Sequence, residues 1–261
     1  GLNHTATTSQ GFRPVFSSDD LQRNLAAVNA RIRQACEHSG RQPDSVRLLP
    51  VSKTVDLARI RMAHAAGCTL LGENKVQEAW SKAQSTTDLT DLRWAVIGHL
   101  QTNKARIVAR FASEFQALDS LRLAAELDKR LSREERCLDV LVQVNTSGEA
   151  SKYGLEPAQL ETFMRQLTAF PTLRVKGLMT LAALTTDQQR IRRCFVLLRQ
   201  QLQQMQQQLS YGDQLYELSM GMSSDFELAI HEGATTVRVG QAIFGPRALP
   251  DSYYWPEQTG A

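Results

Sequence analysis

The 261-residue chain carries 30 basic against 27 acidic residues, a net charge of only +3, which gives no electrostatic footprint for nucleic acid. A chain of this length buries roughly three-quarters of its unfolded surface and needs no disulfide or metal for stability; its four cysteines, Cys36, Cys68, Cys137 and Cys194, show no CxxC pair or histidine at metal-ligand spacing and read as reduced thiols. No apolar run approaches the roughly 18 residues of a membrane span and the N-terminus lacks the parts of a signal peptide, so a cytoplasmic protein with no membrane partner is expected.

Residues 1–16 are polar and patternless and read as a disordered tail. Ser17 or Ser18 can cap a helix with Asp19 and Asp20 in its first turn, and Leu21, Leu25, Val28, Ile32 and Ala35 recur at helical spacing until Gly40 and Pro43 end it. The apolar run Leu48-Leu-Pro-Val51 then closes abruptly on Lys53, and Pro50 inside it removes a ladder donor, so a bulge or an unpaired position is expected there. Helices are predicted over 57–66, 74–83, 102–111 and 121–135, separated by strands over 70–73, 92–99 and 115–120. Residues 137–145 form the strongest strand, followed by a polar loop over 146–154 of a length that often carries function. A helix from Pro157 to 169 leads to a strand over 175–180. The helix over 186–210 has one apolar stripe and glutamine-rich solvated faces, and a strand over 215–219, a short helix over 224–232 and a strand over 235–240 complete the pattern.

Eight strands alternating with helices imply parallel βαβ units and a (β/α)₈ barrel over residues 17–250, with a C-terminal tail over 251–261. An open doubly wound sheet is disfavoured, because no GxGxxG turn follows the first strand. All C-terminal strand ends of such a barrel lie on one face, where sites are built. Those ends are polar: Lys53, Glu73 with Asn74, His99, Asp119 with Ser120, Asn145, Thr180, Ser219, and Arg238 with Gly240.

A strand ending in Lys53 brings an amine to the rim of a core, where burial disfavours the ammonium form and a neutral amine can attack a carbonyl to form a Schiff base. The loops after the last two strands are the usual phosphate cradle of these barrels. Here they carry Ser219-Met-Gly-Met-Ser-Ser224 and Gly240 with Gln241. Alternation sets Val237 and Val239 on one face and Arg238 on the other. If the valines pack under the helices, Arg238 points inward and needs an acceptor, either a carboxylate such as Glu73 or Asp119 or a ring nitrogen of a ligand. An aldehyde for Lys53, a ring nitrogen for Arg238 and a phosphate for Ser219 and Gly240 together describe pyridoxal 5′-phosphate (PLP).

The segments Val51-Ser-Lys-Thr54, Gly72-Glu-Asn-Lys-Val-Gln-Glu78, Ile97-Gly-His-Leu-Gln-Thr-Asn-Lys104, Asp119-Ser-Leu121, Val144-Asn145 with Lys152-Tyr-Gly154, Gly177-Leu-Met-Thr180, Leu218-Ser-Met-Gly-Met-Ser-Ser-Asp225 and Val237-Arg-Val-Gly-Gln-Ala-Ile-Phe-Gly245 occur in collinear order. As a set they resemble the pyridoxal-phosphate homeostasis proteins of the YggS/PROSC type, single barrels related to the N-terminal barrel of alanine racemases. The resemblance implies Lys53 as the lysine that takes the cofactor and Arg238 facing the pyridine nitrogen. It also implies Ser219, Gly240 and Gln241 at the phosphate, with Asn74 and Met220 lining the pocket, no catalytic residue and no metal. Gln241 stands where the family more usually has a small hydroxyl residue.

The function so implied is a monomeric PLP carrier that exchanges cofactor with PLP-requiring apo-enzymes. Two other readings are a PLP enzyme such as an amino-acid racemase and a PLP-free Schiff-base aldolase. Against the racemase stands the expectation that its second base, a tyrosine, comes from an additional C-terminal domain, whereas sixteen residues follow Gly245 here.

Overall fold

The computed structural model describes residues 11–150 and 153–247. Helix α1 (Ser18–His38) precedes a ring of strands and helices: β1 (Arg47–Pro50), α2 (Leu57–Ala65), β2 (Leu70–Glu73), α3 (Val76–Ser85), β3 (Arg93–Val96) and α4 (Ala105–Phe111). The chain continues through β4 (Glu114–Leu118), α5 (Leu121–Arg133), β5 (Leu138–Gln143), α6 (Leu160–Gln166), β6 (Leu173–Met179) and α7 (Gln188–Gln208). It ends its described course with β7 (Glu217–Ser219), α8 (Phe226–His231), β8 (Thr236–Val239) and α9 (Gln241–Phe244). Every strand pairing is parallel, in the order β1-β8-β7-β6-β5-β4-β3-β2, and the ring closes where Val51 bridges Gly72. This is the predicted (β/α)₈ barrel.

The closure also explains the tolerated proline. Successive residues of a parallel strand turn their N–H groups to opposite neighbours. The Val51 N–H bonds the Val239 carbonyl at 2.8 Å on the β8 side, and the Ser52 N–H bonds the Gly72 carbonyl at 2.9 Å on the β2 side. Pro50 therefore faces its nitrogen toward β2, short of the Val51 bridge, and the β8 ladder loses no donor to it. The expected unpaired position is this seam, and the register between β1 and β8 runs unbroken through Pro50.

Alternation divides the buried residues into two layers. Val237 and Val239 belong with Phe226, Ala229 and Ile230 of α8 to the large core between sheet and helices, while Leu49, Val51, Ala95 and Ile97 form a separate cluster within the ring. The predicted stripe of α7 is realised as buried Ile191, Phe195, Leu198, Leu202 and Met205, and its glutamines cover the remaining faces. Among the described residues, no helix is long and apolar enough to cross a membrane.

One expectation needs correction at the N-terminus. Residues 1–10 of the predicted tail lie outside the described residues, but Val15 is only 9% exposed. Buried Asn24 of α1 donates from Nδ2 to the carbonyls of Arg13 and Ile243, each at 3.2 Å. An apolar side chain and a buried amide requiring acceptors hold the segment against α1 and α9, a tertiary demand that its polar composition does not reveal. The predicted C-terminal tail, residues 251–261, lies outside the described residues.

Asn24→Ala should leave both carbonyls short of a donor and lower stability by about 1–3 kcal/mol. Urea titration followed by circular dichroism measures the loss.

Candidate functional site

Lys53 sits in the turn that follows β1, half-buried, with its backbone held on both sides. The Ser52 carbonyl accepts from Lys82 Nζ at 2.6 Å, and the Thr54 N–H donates to Glu78 Oε2 at 2.7 Å. Thr54 has φ +63°, a left-handed backbone that a β-branched residue rarely adopts. Lys82 Nζ also donates to Glu73 Oε1 at 2.9 Å and to Glu78 Oε2 at 2.6 Å, while Ser52 Oγ donates to Glu73 Oε2 at 2.6 Å. Burial pushes the Glu73 carboxyl up to about 7, against the opposing pull of Lys82. Glu73 thus belongs to the layer beneath α3, not to the mouth where its place at a strand end suggested it.

Arg238 is the largest fully buried side chain among the described residues. It points into the barrel as the alternation predicts, but neither Glu73 nor Asp119 is its partner. Its Nη1 donates to Ser219 Oγ at 2.7 Å and its Nη2 to the Thr180 carbonyl at 2.9 Å. Ser219 Oγ in turn donates to Gln116 Oε1 at 2.6 Å, and Gln116 Nε2 to Glu114 Oε1 at 3.0 Å. Glu114 accepts two bonds from Arg47, at 2.7 and 3.0 Å, at the opposite end of the strands. A directed chain of donors therefore runs along the barrel interior and fixes the guanidinium. Burial lowers the Arg238 pKa to about 10, only partly countered by Asp225.

Lys53, Gly240 and Gln241 line one cleft of about 120 Å³, together with Val51, Thr54, Val55, Arg59, Phe244, Gly245, Pro246 and Arg247. A Cβ on Gly240 would come within 3.2 Å of the Val51 carbonyl, so the close approach of the β8 loop to β1 favours a residue without a side chain. Gln241 Oε1 is buried without a hydrogen-bond partner among the described residues. In the loop after β7, Gly221 has φ +104° and lies so near Ala229 that a Cβ would come within 2.7 Å of its side chain.

The remaining predicted residues are placed differently. Ser219 is fully buried and its hydroxyl serves Arg238 and Gln116. Met220 is fully buried in the large core with its N–H bonded to the Thr236 carbonyl, so it shapes the loop without lining the cleft. Asn74 is half-buried at the end of β2, packed so closely that a Cβ on Gly98 would meet its carbonyl at 2.3 Å, and it too lies outside the cleft lining. Arg59 and Arg247, which flank the cleft, carry no sequence signal of their own. Farther round the mouth His99 stacks on Tyr153, ring centroids 3.8 Å apart, and Asp119 Oδ2 accepts from the Gly154 N–H at 3.1 Å. Burial lowers the His99 pKa and raises that of Asp119. These contacts anchor the end of the long loop predicted after the fifth strand.

Burial opposes the charge on Arg238, and its hydrogen bonds to Ser219 and Thr180 offset part of that opposition. Arg238→Met removes a buried charge but also the donor of the Thr180 carbonyl and the Ser219 hydroxyl, two opposing effects, so its melting temperature without cofactor should stay within about 4 °C of the parent's by differential scanning calorimetry.

Residues 23–248 match the family described as alanine racemase, N-terminal domain. A Pyridoxal phosphate homeostasis protein from Pseudomonas aeruginosa is 42% identical over 227 residues, 87% of this chain and 96% of that protein. Another from Aquifex aeolicus is 40% identical over 85% of this chain and 96% of that protein. The structure of PipY from Synechococcus elongatus with PLP bound is 37% identical, covers 86% of this chain and 100% of that one, and superposes with a TM-score of 0.76. The order of the strands, the collinear motifs and these likenesses agree: the chain belongs to the pyridoxal phosphate homeostasis proteins, a family built on the alanine racemase N-terminal domain.

Proposed function

We propose that the protein binds PLP at the C-terminal mouth of its barrel, in the cytoplasm, and holds it for exchange with PLP-requiring proteins, with little or no catalysis of its own. The observation that carries this reading is the cleft lined together by Lys53, Gly240 and Gln241, with the inward guanidinium of Arg238 two residues before Gly240 on the same strand face. The names of the relatives and the PLP bound to PipY support it.

The residues present fit the cofactor. Gln241 has a buried amide oxygen without a partner among the described residues, and the amide turned over would present Nε2, a donor suited to a phosphate oxygen. Gly240 leaves room for close backbone approach, and Arg238 is a cation whose hydrogen bonds go to a hydroxyl and a carbonyl, with no ion pair to a carboxylate among the described residues. When bound, PLP supplies an aldehyde that condenses with a primary amine. On this reading Lys53 offers that amine, Gly240 and Gln241 hold the phosphate, and Arg238, fixed by Ser219 and Thr180, faces the ring nitrogen. Asn74 and Met220 keep the adjoining loops in place.

The same residues argue against efficient turnover. Arginine has no acceptor and stays cationic, so it leaves a ring nitrogen unprotonated and the electron sink weak. Among the described residues the cleft lining includes no carboxylate, imidazole or phenol that could act as a paired acid and base.

The purified protein mixed with PLP should gain a visible absorbance band, and borohydride reduction should place a pyridoxyl group on the Lys53 peptide. Lys53→Ala should stay folded and lose that modification while retaining some cofactor; modification of a different lysine in the parent rejects the assignment. Arg238→Ala and Ser219→Ala should each weaken PLP binding by about 1.5–3 kcal/mol, roughly ten- to a hundredfold, measured by fluorescence titration. Turnover of amino acids should stay below about 1 per second, and Lys53-dependent turnover above that would replace this reading with a PLP enzyme.

A further inference from the structure

We propose that Lys82 and Glu78 of α3 are positioning residues that clamp the peptide groups on either side of Lys53 and so aim its amine. This rests on the reading that Lys53 takes the cofactor. One buried lysine, 8% exposed, spends its donors on the Ser52 carbonyl, Glu73 and Glu78, and Glu78 uses the same oxygen to hold the Thr54 N–H. The residue before Lys53 and the residue after it are thereby tied to one point on the helix behind the sheet. Neither residue contacts the cleft, so the clamp acts only through the backbone.

The backbone shows the effect of that clamp. Thr54 stands at φ +63°, which no glycine or asparagine eases here, and residues in that region persist only where surrounding contacts over-determine them. The contact doing so is the charge-assisted bond from the Thr54 N–H to Glu78. Released, Thr54 would relax toward an ordinary extended or helical conformation, and the Lys53 side chain would turn with it.

The test compares the parent with Lys82→Met and with Glu78→Gln. Lys82→Met leaves two buried carboxylates facing each other and can fail to fold; Glu78→Gln keeps the shape and lets Lys82 retain Glu73. Two quantities are read on variants that are folded by circular dichroism: exchange of the Thr54 amide in the cofactor-free protein, and the rate at which PLP becomes reducible onto Lys53. Thr54 exchange should accelerate, and the attachment rate should fall by about ten- to a hundredfold, as a displacement on the order of 1 Å can cause. Adding Thr54→Gly, which permits the left-handed backbone without strain, should return part of the lost rate. A folded Glu78→Gln with unchanged exchange and unchanged attachment overturns the proposal, as does loss of rate that Thr54→Gly leaves untouched. If the parent itself takes up no PLP, the proposed function fails, while the exchange measurement still decides whether the clamp holds Thr54.

Discussion

The ladder between β1 and β8 is the constraint on which the site depends. Pairing Leu49 with Arg238 and bonding the Val51 N–H to the Val239 carbonyl brings residue 53 beside residues 240 and 241, nearly two hundred positions away in the chain. Both strands leave the sheet within a few residues of that pairing, one into the Lys53 turn and the other into the short helix α9. A slip of one residue would exchange the inward Arg238 for a valine and bury the guanidinium under the helices. The apolar layer between sheet and helices, which takes Val237 and Val239, forbids that slip.

Beside the apolar cluster of Leu49, Val51, Ala95 and Ile97, part of the barrel interior is polar where an ordinary barrel core would be packed with branched apolar side chains. Arg47, Glu114, Gln116, Ser219 and Arg238 form a chain in which each hydroxyl or amide has one direction of donation left to it. Such a chain satisfies its buried groups while fixing their orientation. A second buried polar group, Lys82 with Glu73, Glu78 and Ser52, lies outside the ring beneath α3. Both arrangements hold charges away from water, which seldom adds net stability over an apolar equivalent. Their value lies in geometry, since one fixes the guanidinium inside the barrel and the other fixes the turn that carries Lys53.

The mouth of the barrel also divides into two halves with different chemistry. Around the β1 and β8 ends the cleft has lysine, arginines, glycines and an amide. Across the strand ends from β3 to β5 stand the exposed ring of Tyr153 with His99 and Asp119, and burial of the last two lowers the imidazole pKa and raises the carboxyl one. The first half is suited to an anion and an aldehyde; the second anchors a loop.

The sequence by itself determined the architecture and most of the participants. Alternating strand and helix periods imply the barrel, abrupt polar endings mark its mouth, and the period of two along Thr236 to Gly240 already turns Arg238 inward, because alternation is local covalent geometry. Which acceptor Arg238 finds was not legible, since Glu73 and Asp119 share its place at strand ends, and only the pairing of β8 with β7, and of β7 with β6, selects Ser219 and Thr180. Glu73 reads as a mouth residue from its position, yet it faces α3, because one residue of offset at a strand end reverses the side. The left-handed Thr54 was also invisible: nothing in a threonine signals positive φ, and the conformation exists only because Glu78 and Lys82, supplied by another element, hold it there. Local periodicity thus decided the layers and the tertiary contacts decided the partners, because a side chain's direction follows from its own backbone while its partner depends on every other element packed around it.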